Sequence, residues 1–229
     1  FLNTYCVQCH NEKKKSGVFV VRMDVPGESV NTLRASFADD FTRIFAEVER
    51  DPACRAVVFT SGKKNGFIAG ADIEMLRAMT SEAEAAELSR TGQRALDRIA
   101  SFRVPVVAAI HGAALGGGLE VAMACHARIA SDDKKTKLGV PEVMLGVLPG
   151  AGGTQRLPRL VPIEAALDLL LTGKQIDARR AKKMGLVDEV VPEAILLEVA
   201  EAKALELAAS GKKDGLEKKL AGVDAWKDA

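Results

Sequence analysis

Apolar and polar positions change period along this chain often enough to mark its elements. Residues 18–23, Val-Phe-Val-Val-Arg-Met, make a short, apolar, β-branched run that stops at Pro26-Gly27, which predicts a strand. From 33 to 50, Phe37, Phe41, Ile44, Phe45 and Val48 recur at helical spacing, and Asp51-Pro52 closes an amphipathic helix. Residues 56–60 read as a second strand, followed by a polar, glycine-bearing loop over 61–66 and then Phe67-Ile68-Ala69-Gly70-Ala71-Asp72, where a helix can begin. A long helix over 81–100 turns Leu88, Leu96 and Ile99 inward, and 104–110 reads as a third, buried strand. Further helices are expected near 162–171 and 177–184, with charged helical segments from 193 onward. Strands alternating with helices predict the α/β class. No fixed-period repeat is visible, and the last 29 residues or so, rich in lysine and alanine, suggest a peripheral tail around Trp226.

Composition narrows the classes. A chain of 229 residues, 48% hydrophobic, can bury a full core and fits one globular unit. Lysine and arginine number 32 against 31 acidic residues, a balance that argues against a general nucleic-acid binder and leaves room for small anionic ligands. No stretch approaches the roughly 18 apolar residues of a membrane span. The first residue is Phe1, so a native start or a lost targeting peptide stays open. Four cysteines, Cys6, Cys9, Cys54 and Cys125, are too few for a disulfide scaffold and make a reducing compartment the default.

Two glycine-rich turns carry the candidate chemistry. After the third strand, His111-Gly112-Ala113-Ala114-Leu115-Gly116-Gly117-Gly118-Leu119-Glu120 leads into a smooth helical run. Glycines let a substrate approach bare backbone, and a helix starting near Gly117 points unpaired N–H groups and its positive dipole end at an oxyanion or enolate. Glu120 then lies in the first turn; the structural alternative is a tight turn followed by an ordinary helix-start acid. The second turn sets Glu142 alone in an apolar stretch from Leu138 to Thr154. Burial raises such a carboxyl's pKa and lets it hold a proton as a general acid while a wetter partner stays ionised. Gly150, Gly152 and Gly153 fit neither a P-loop nor a dinucleotide fingerprint.

The chain resembles the crotonase (enoyl-CoA hydratase/isomerase) superfamily in Phe67-Ile68-Ala69-Gly70-Ala71-Asp72-Ile73, in Gly116-Gly117-Gly118-Leu119-Glu120, and in Pro141-Glu142 through Gly153-Thr154-Gln155-Arg156-Leu157. The likeness covers roughly 17–192 and includes Leu171-Thr172-Gly173 and 181–188; it is greatest to the hydratase portion of multifunctional fatty-acid oxidation α-subunits. The resemblance implies a spiral of ββα units with flanking C-terminal helices, and backbone N–H groups of Ala71 and Gly117 on the thioester oxygen. It implies that Glu120 helps activate the water attacking the β-carbon and that Glu142 supplies the α-carbon proton. Ala69, Ala71, Ile73 and Gly117 become the expected substrate-binding positions. An acyl-CoA substrate is implied, with no metal or redox cofactor, as is a trimer-based homo-oligomer or a multifunctional complex, in a bacterial cytoplasm or the mitochondrial matrix. Both carboxylates are present, which favours hydration over isomerisation. The separation of the acids, 142 − 120 = 22, slightly exceeds that of compact hydratases, and a surface turn over 131–137 can absorb the difference.

Residues 1–16 depart from that pattern, leaving 17–192 as the catalytic core and 193–229 as a helical C-terminal segment expected to be truncated. Cys6-Val7-Gln8-Cys9-His10 fits the Cys-x-x-Cys-His of c-type haem attachment, but too few residues precede the first strand to wrap a porphyrin. Zinc at the same residues needs a fourth ligand from Cys54, His111, Cys125 or His126. His111 and His126 read first as satisfied core or turn residues. Lys63, Lys64, Arg156 and Arg159 are candidates to neutralise coenzyme A phosphates, and equally surface cations. Hydration of an enoyl-CoA is the leading expectation. The alternatives are a Δ3,Δ2-enoyl-CoA isomerase using Glu142 alone, or a non-catalytic fragment carrying a haem motif.

Overall fold

Strands β2 (Val18–Met23), β3 (Ala56–Ser61) and β5 (Val106–Ile110) run parallel through the middle of a six-stranded sheet in this computed structural model, which describes residues 12–13, 16–64 and 66–211. The sheet's order is β1 (Glu12–Lys13), β2, β3, β5, β7 (Ala127–Ser131), β10 (Glu189–Val191), with β1 antiparallel to β2. Side chains alternate between two cores: Phe19, Val57 and Phe59 enter one, and Val18, Val20, Val58 and Val107 the other. Burial on both faces explains why these strands read as unbroken apolar runs.

Helices α1 (Phe37–Arg50) and α3 (Glu82–Ala100) cover the first face, where Phe41, Phe45, Phe59 and Phe102 pack ring against ring. Helix α8 (Leu196–Ser210) covers the second with Leu196, Ala200, Ala204 and Leu207. Residues 201–210 are therefore part of the core's cover, a correction to the peripheral tail. Alanine's small side chains let the helix approach the sheet closely, a role that composition alone reads as weak hydrophobicity.

A second sheet of four strands has the order β4 (Gly66–Ile68), β6 (Ala113–Leu115), β8 (Lys137–Gly139), β9 (Ile176–Asp177). Between the two sheets lies α4 (Gly117–Ala124), buried along its whole length and touching β4, β6 and β7. The remaining helices are α2 (Ile73–Arg77), α5 (Gly153–Leu160), α6 (Ile163–Thr172) and α7 (Ala178–Met184), with a 3-10 turn at Pro141–Leu145.

Two boundaries differ from the periodicity by more than one residue. The first helix begins at Phe37 rather than 33, because Leu33 pairs with Ala71 in a parallel bridge. The third strand begins at Val106 rather than 104; Pro105 has no N–H for the ladder and contributes only its carbonyl, which accepts from Val57. Leu88 is half-buried, while Leu96 and Ile99 are fully inside. The expected surface turn between β7 and β8 is present, with 132–135 exposed.

Candidate active site

Gly116 turns the chain from β6 into α4 with φ +52°, a left-handed value that disfavours any side chain. A Cβ there would also stand 2.7 Å from Glu142 Oε1, so the turn lies directly against that carboxylate. Gly117 opens the helix, and its N–H has no carbonyl one turn back to bond. Glu120 follows in the first turn, 2% exposed, and its Oε1 accepts from the N–H groups of Ala151 (2.9 Å) and Gly153 (2.6 Å).

Ala71 is placed from the other side. Leu33 donates its N–H to the Gly70 carbonyl (2.8 Å) and accepts from the Asp72 N–H (2.9 Å). In such a parallel bridge the bonds use the groups flanking Ala71, so its own N–H faces away from Leu33. It faces α4: a Cβ on Gly117 would be 3.8 Å from the Ala71 nitrogen and 3.8 Å from Glu120 Oε2. The Ala71 nitrogen, the start of α4 and the second oxygen of Glu120 thus converge. Behind them the Asn31 carbonyl accepts from the Ala69 N–H, and its buried amide bonds Met23, Val25, Ser61 and Phe67. Sequence reasoning missed Asn31, since two polar residues between Val30 and Leu33 leave no periodic mark. It also missed the two N–H groups on Glu120.

Glu142 sits in the 3-10 turn, and its Oε2 is buried without a hydrogen-bond partner among the described residues. Burial pushes its carboxyl up to about 7; repulsion from Glu120 adds to this, and its own backbone N–H opposes it. Burial also raises Glu120, against its two N–H donors and the positive charge of Arg156. One carboxylate is held by fixed dipoles, and the other has an oxygen aimed at an unfilled polar role. The high pKa argued for a lone acid among apolar residues is found at Glu142; the wetter partner expected beside it is not, since Glu120 is the more deeply buried of the two and burial raises it as well.

The other candidates divide. Ala69 and Ile73 are exposed on either side of Ala71. Lys63 pairs with Asp24 and donates to the Val25 carbonyl, and Arg159 bonds Gln155 on its own helix. Arg156 is not a surface cation: it is 6% exposed and folded inward. His111 meets the Lys63 carbonyl through Nε2, and His126 Nδ1 accepts from the Val106 N–H. Cys54 and Cys125 are buried, and burial pushes Cys125 up to about 12. Each of these four makes a local hydrogen bond, the two thiols to the Ala56 and Val121 carbonyls. Among the described residues no group of three or more His, Cys, Asp or Glu is arranged to hold a metal ion. Cys6, Cys9 and His10, the haem-attachment candidates, lie outside the described residues.

The family model described as Enoyl-CoA hydratase/isomerase matches residues 13–217. The Fatty acid oxidation complex subunit alpha of Shewanella putrefaciens is 54% identical over 201 residues, 88% of this chain and 28% of that protein. That of Shewanella loihica is 53% identical over 209 residues, 91% of this chain and 29% of its own length. The chain therefore spans under a third of these relatives. Among solved structures, an enoyl-CoA hydratase from Geobacillus kaustophilus is 35% identical with a TM-score of 0.79, covering 85% of this chain and 72% of that one. One from Bacillus anthracis is 34% identical with a TM-score of 0.77, covering 84% and 73%. The crotonase-like α/β fold implied by the motifs is thus the fold of this chain.

Proposed function

This chain belongs to the enoyl-CoA hydratase/isomerase family, and from that premise we propose that it adds water across the trans-2 double bond of an acyl-CoA thioester in fatty-acid β-oxidation. The observation that carries the reading is the pair of unequal carboxylates on either side of one turn, Glu120 bonded by two N–H groups and Glu142 with an orphan buried oxygen.

The N–H groups of Ala71 and Gly117 receive the thioester oxygen. Glu120 orients a water molecule and takes its proton as the water oxygen bonds to the β-carbon. The double-bond electrons move toward the thioester oxygen, whose growing negative charge the two donors stabilise; one such donor contributes roughly 2.7–4 kcal/mol. Glu142, protonated near neutral pH, gives its proton to the α-carbon, and the enolate collapses to the 3-hydroxyacyl thioester. Coenzyme A is part of the substrate, and no metal or redox group enters these steps. Ala69 and Ile73 flank the oxygen site as substrate contacts.

Loss of the conjugated enoyl absorbance on mixing with enoyl-CoA tests this. Glu120→Gln and Glu142→Gln should each lower kcat by about 10²–10⁴-fold. No absorbance loss with intact protein, or equal loss in both variants, sinks the reading. An isomerase needs only one proton carrier at Glu142, so undiminished 3-to-2 double-bond transfer in Glu120→Gln without hydration would favour it.

The same reading makes this chain the hydratase portion of a larger α-subunit in a bacterial cytoplasm, working in an oligomer. The names of the Shewanella relatives support a bacterial complex, and the share of their length that it spans supports a larger subunit. No helix among the described residues is long and apolar enough to cross a membrane. The coding sequence on either side of residues 1 and 229 tests the larger subunit, and light scattering on the purified chain tests the oligomer.

A further inference from the structure

The turn that holds Glu120 is itself held, peptide by peptide. The Gly150–Ala151 unit gives its N–H to Glu120 Oε1, and its carbonyl accepts from Gln93 Nε2 (2.9 Å). The Gly152–Gly153 unit gives its N–H to the same oxygen, and its carbonyl accepts from the N–H groups of Gln155 and Arg156 at the start of α5. The unit between them donates nothing to Glu120, but its orientation sets the direction of both neighbours. Its carbonyl, on Ala151, accepts from Arg156 Nη1 (2.7 Å). The other arm of the guanidinium reaches the Asp97 carboxylate (2.5 Å), and Gln93 and Asp97 stand one turn apart on α3.

We propose that Arg156 is the positioning residue of Glu120: anchored on Asp97, its guanidinium clamps the Ala151 carbonyl so that the Ala151 and Gly153 N–H groups stay aimed at Oε1, and it supplies positive charge beside that carboxylate. The planar fork suits this, because one rigid group makes both bonds and stays charged although only 6% exposed. A buried arginine is costly unless each arm has a partner, and the partners here are a carboxylate outside and the base-holding turn inside. The charged and titratable groups facing the guanidinium are Asp97 from α3, Glu120 and Cys125 from α4 and its end, and Arg159 from α5 itself. Glu142 faces Glu120 from the 3-10 turn. Among these, Arg156 favours the ionised form of Glu120 and Glu142 opposes it. The role rests on the hydration reading for its kinetic expression only; the effect on Glu120 itself does not.

Arg156→Met should lower kcat by about 10²-fold at neutral pH with KM near that of the unaltered chain, the loss expected of a misaimed catalytic group. The acid limb of its kcat/KM profile should move to higher pH. Arg156→Lys, which restores the charge without the fork, should return the limb and recover about tenfold of the rate. A readout without turnover is the carboxyl 13C titration of Glu120 in labelled protein, assigned by its loss in Glu120→Gln: the midpoint should rise in Arg156→Met and return in Arg156→Lys. An unmoved midpoint, an unchanged kcat, or a loss confined to KM overturns the proposal, the last making Arg156 a contact to substrate charge. If the unaltered chain turns over no enoyl-CoA while the midpoint still moves, the hydration reading fails and this one stands. Should Arg156→Met fail to fold, Asp97→Asn, at a side chain 73% exposed, loosens the same clamp from outside. It should lower kcat several-fold at unchanged KM; an unaltered kcat there also overturns the proposal.

Discussion

Glu142 and Glu120 are the same residue type on facing sides of one glycine turn, and their surroundings give them different work. Glu142 holds its proton up to about 7 because burial penalises the anion and, among the described residues, no donor offsets the cost at Oε2. In the proposed hydration Glu142 is the general acid and is lost as pH rises through about 7, so kcat/KM should fall with an alkaline limb near that value, and Glu142→Gln should lack the limb. The same shift bears on stability. An unfolded chain releases this proton near 4.5 and the folded chain near 7, so between those values the folded state binds more protons. The group's contribution therefore favours folding at low pH and declines as pH rises through the window. Urea unfolding at pH 5 and pH 7 should show Glu142→Gln gaining on the unaltered chain at the higher pH. Both acids were legible in the sequence, one as a lone charge in an apolar run and one behind a helix-starting turn. The Ala71 N–H was not legible from the residues alone, because its direction depends on a bridge to Leu33 and only the family likeness pointed to it.

At the scale of elements, legibility followed length and apolar strength: β7, with five residues but only Ile129 as a large apolar side chain, was not read as a strand. Strands β2, β3 and β5 have five or six residues each and cores on both faces, so their apolar runs stand out. Strands β4, β6, β8 and β9 have two or three residues each, too few to show a period, and the whole second sheet escaped notice. Helix α5 escaped as well, since Gly152-Gly153 at its start and Pro158 inside it interrupt a helical pattern. Yet these short pieces place the site, and Asn31 joins them. Its amide donates to Met23 at the end of β2, to Ser61 at the end of β3 and to Phe67 in β4, while its Oδ1 accepts from Val25. Asn31→Ala leaves several of these buried groups without partners, at about 1–3 kcal/mol each. We expect a loss of at least about 3 kcal/mol in urea unfolding. Because the Asn31 carbonyl and Leu33 seat the segment that carries Ala71, kcat should fall more than KM rises, by up to about 10²-fold for an ångström of displacement.

The whole molecule draws its site from segments far apart in the chain: 31–33, 69–71, 116–120, 142 and 151–153. They meet only because α4 is clasped between the two sheets, with α3 and α5 packed against it. A ligand in that space touches every layer and has no counterpart site in the unfolded chain, so binding should raise global stability rather than stiffen one loop. A saturated acyl-CoA, which has no double bond to hydrate, isolates this effect from turnover. At about 100-fold over its Kd it should stabilise the fold by roughly 2.7 kcal/mol. For a domain of this size each kcal/mol moves the midpoint by about 2–4 °C, so a rise of roughly 5–11 °C in Tm is expected by calorimetry. Glu120→Gln and Glu142→Gln, which the proposed mechanism has act on the transition state, should keep most of that rise while losing turnover. A cooperative transition that the thioester leaves unmoved would show that the converging donors and carboxylates do not bind it, whatever reaction the chain performs.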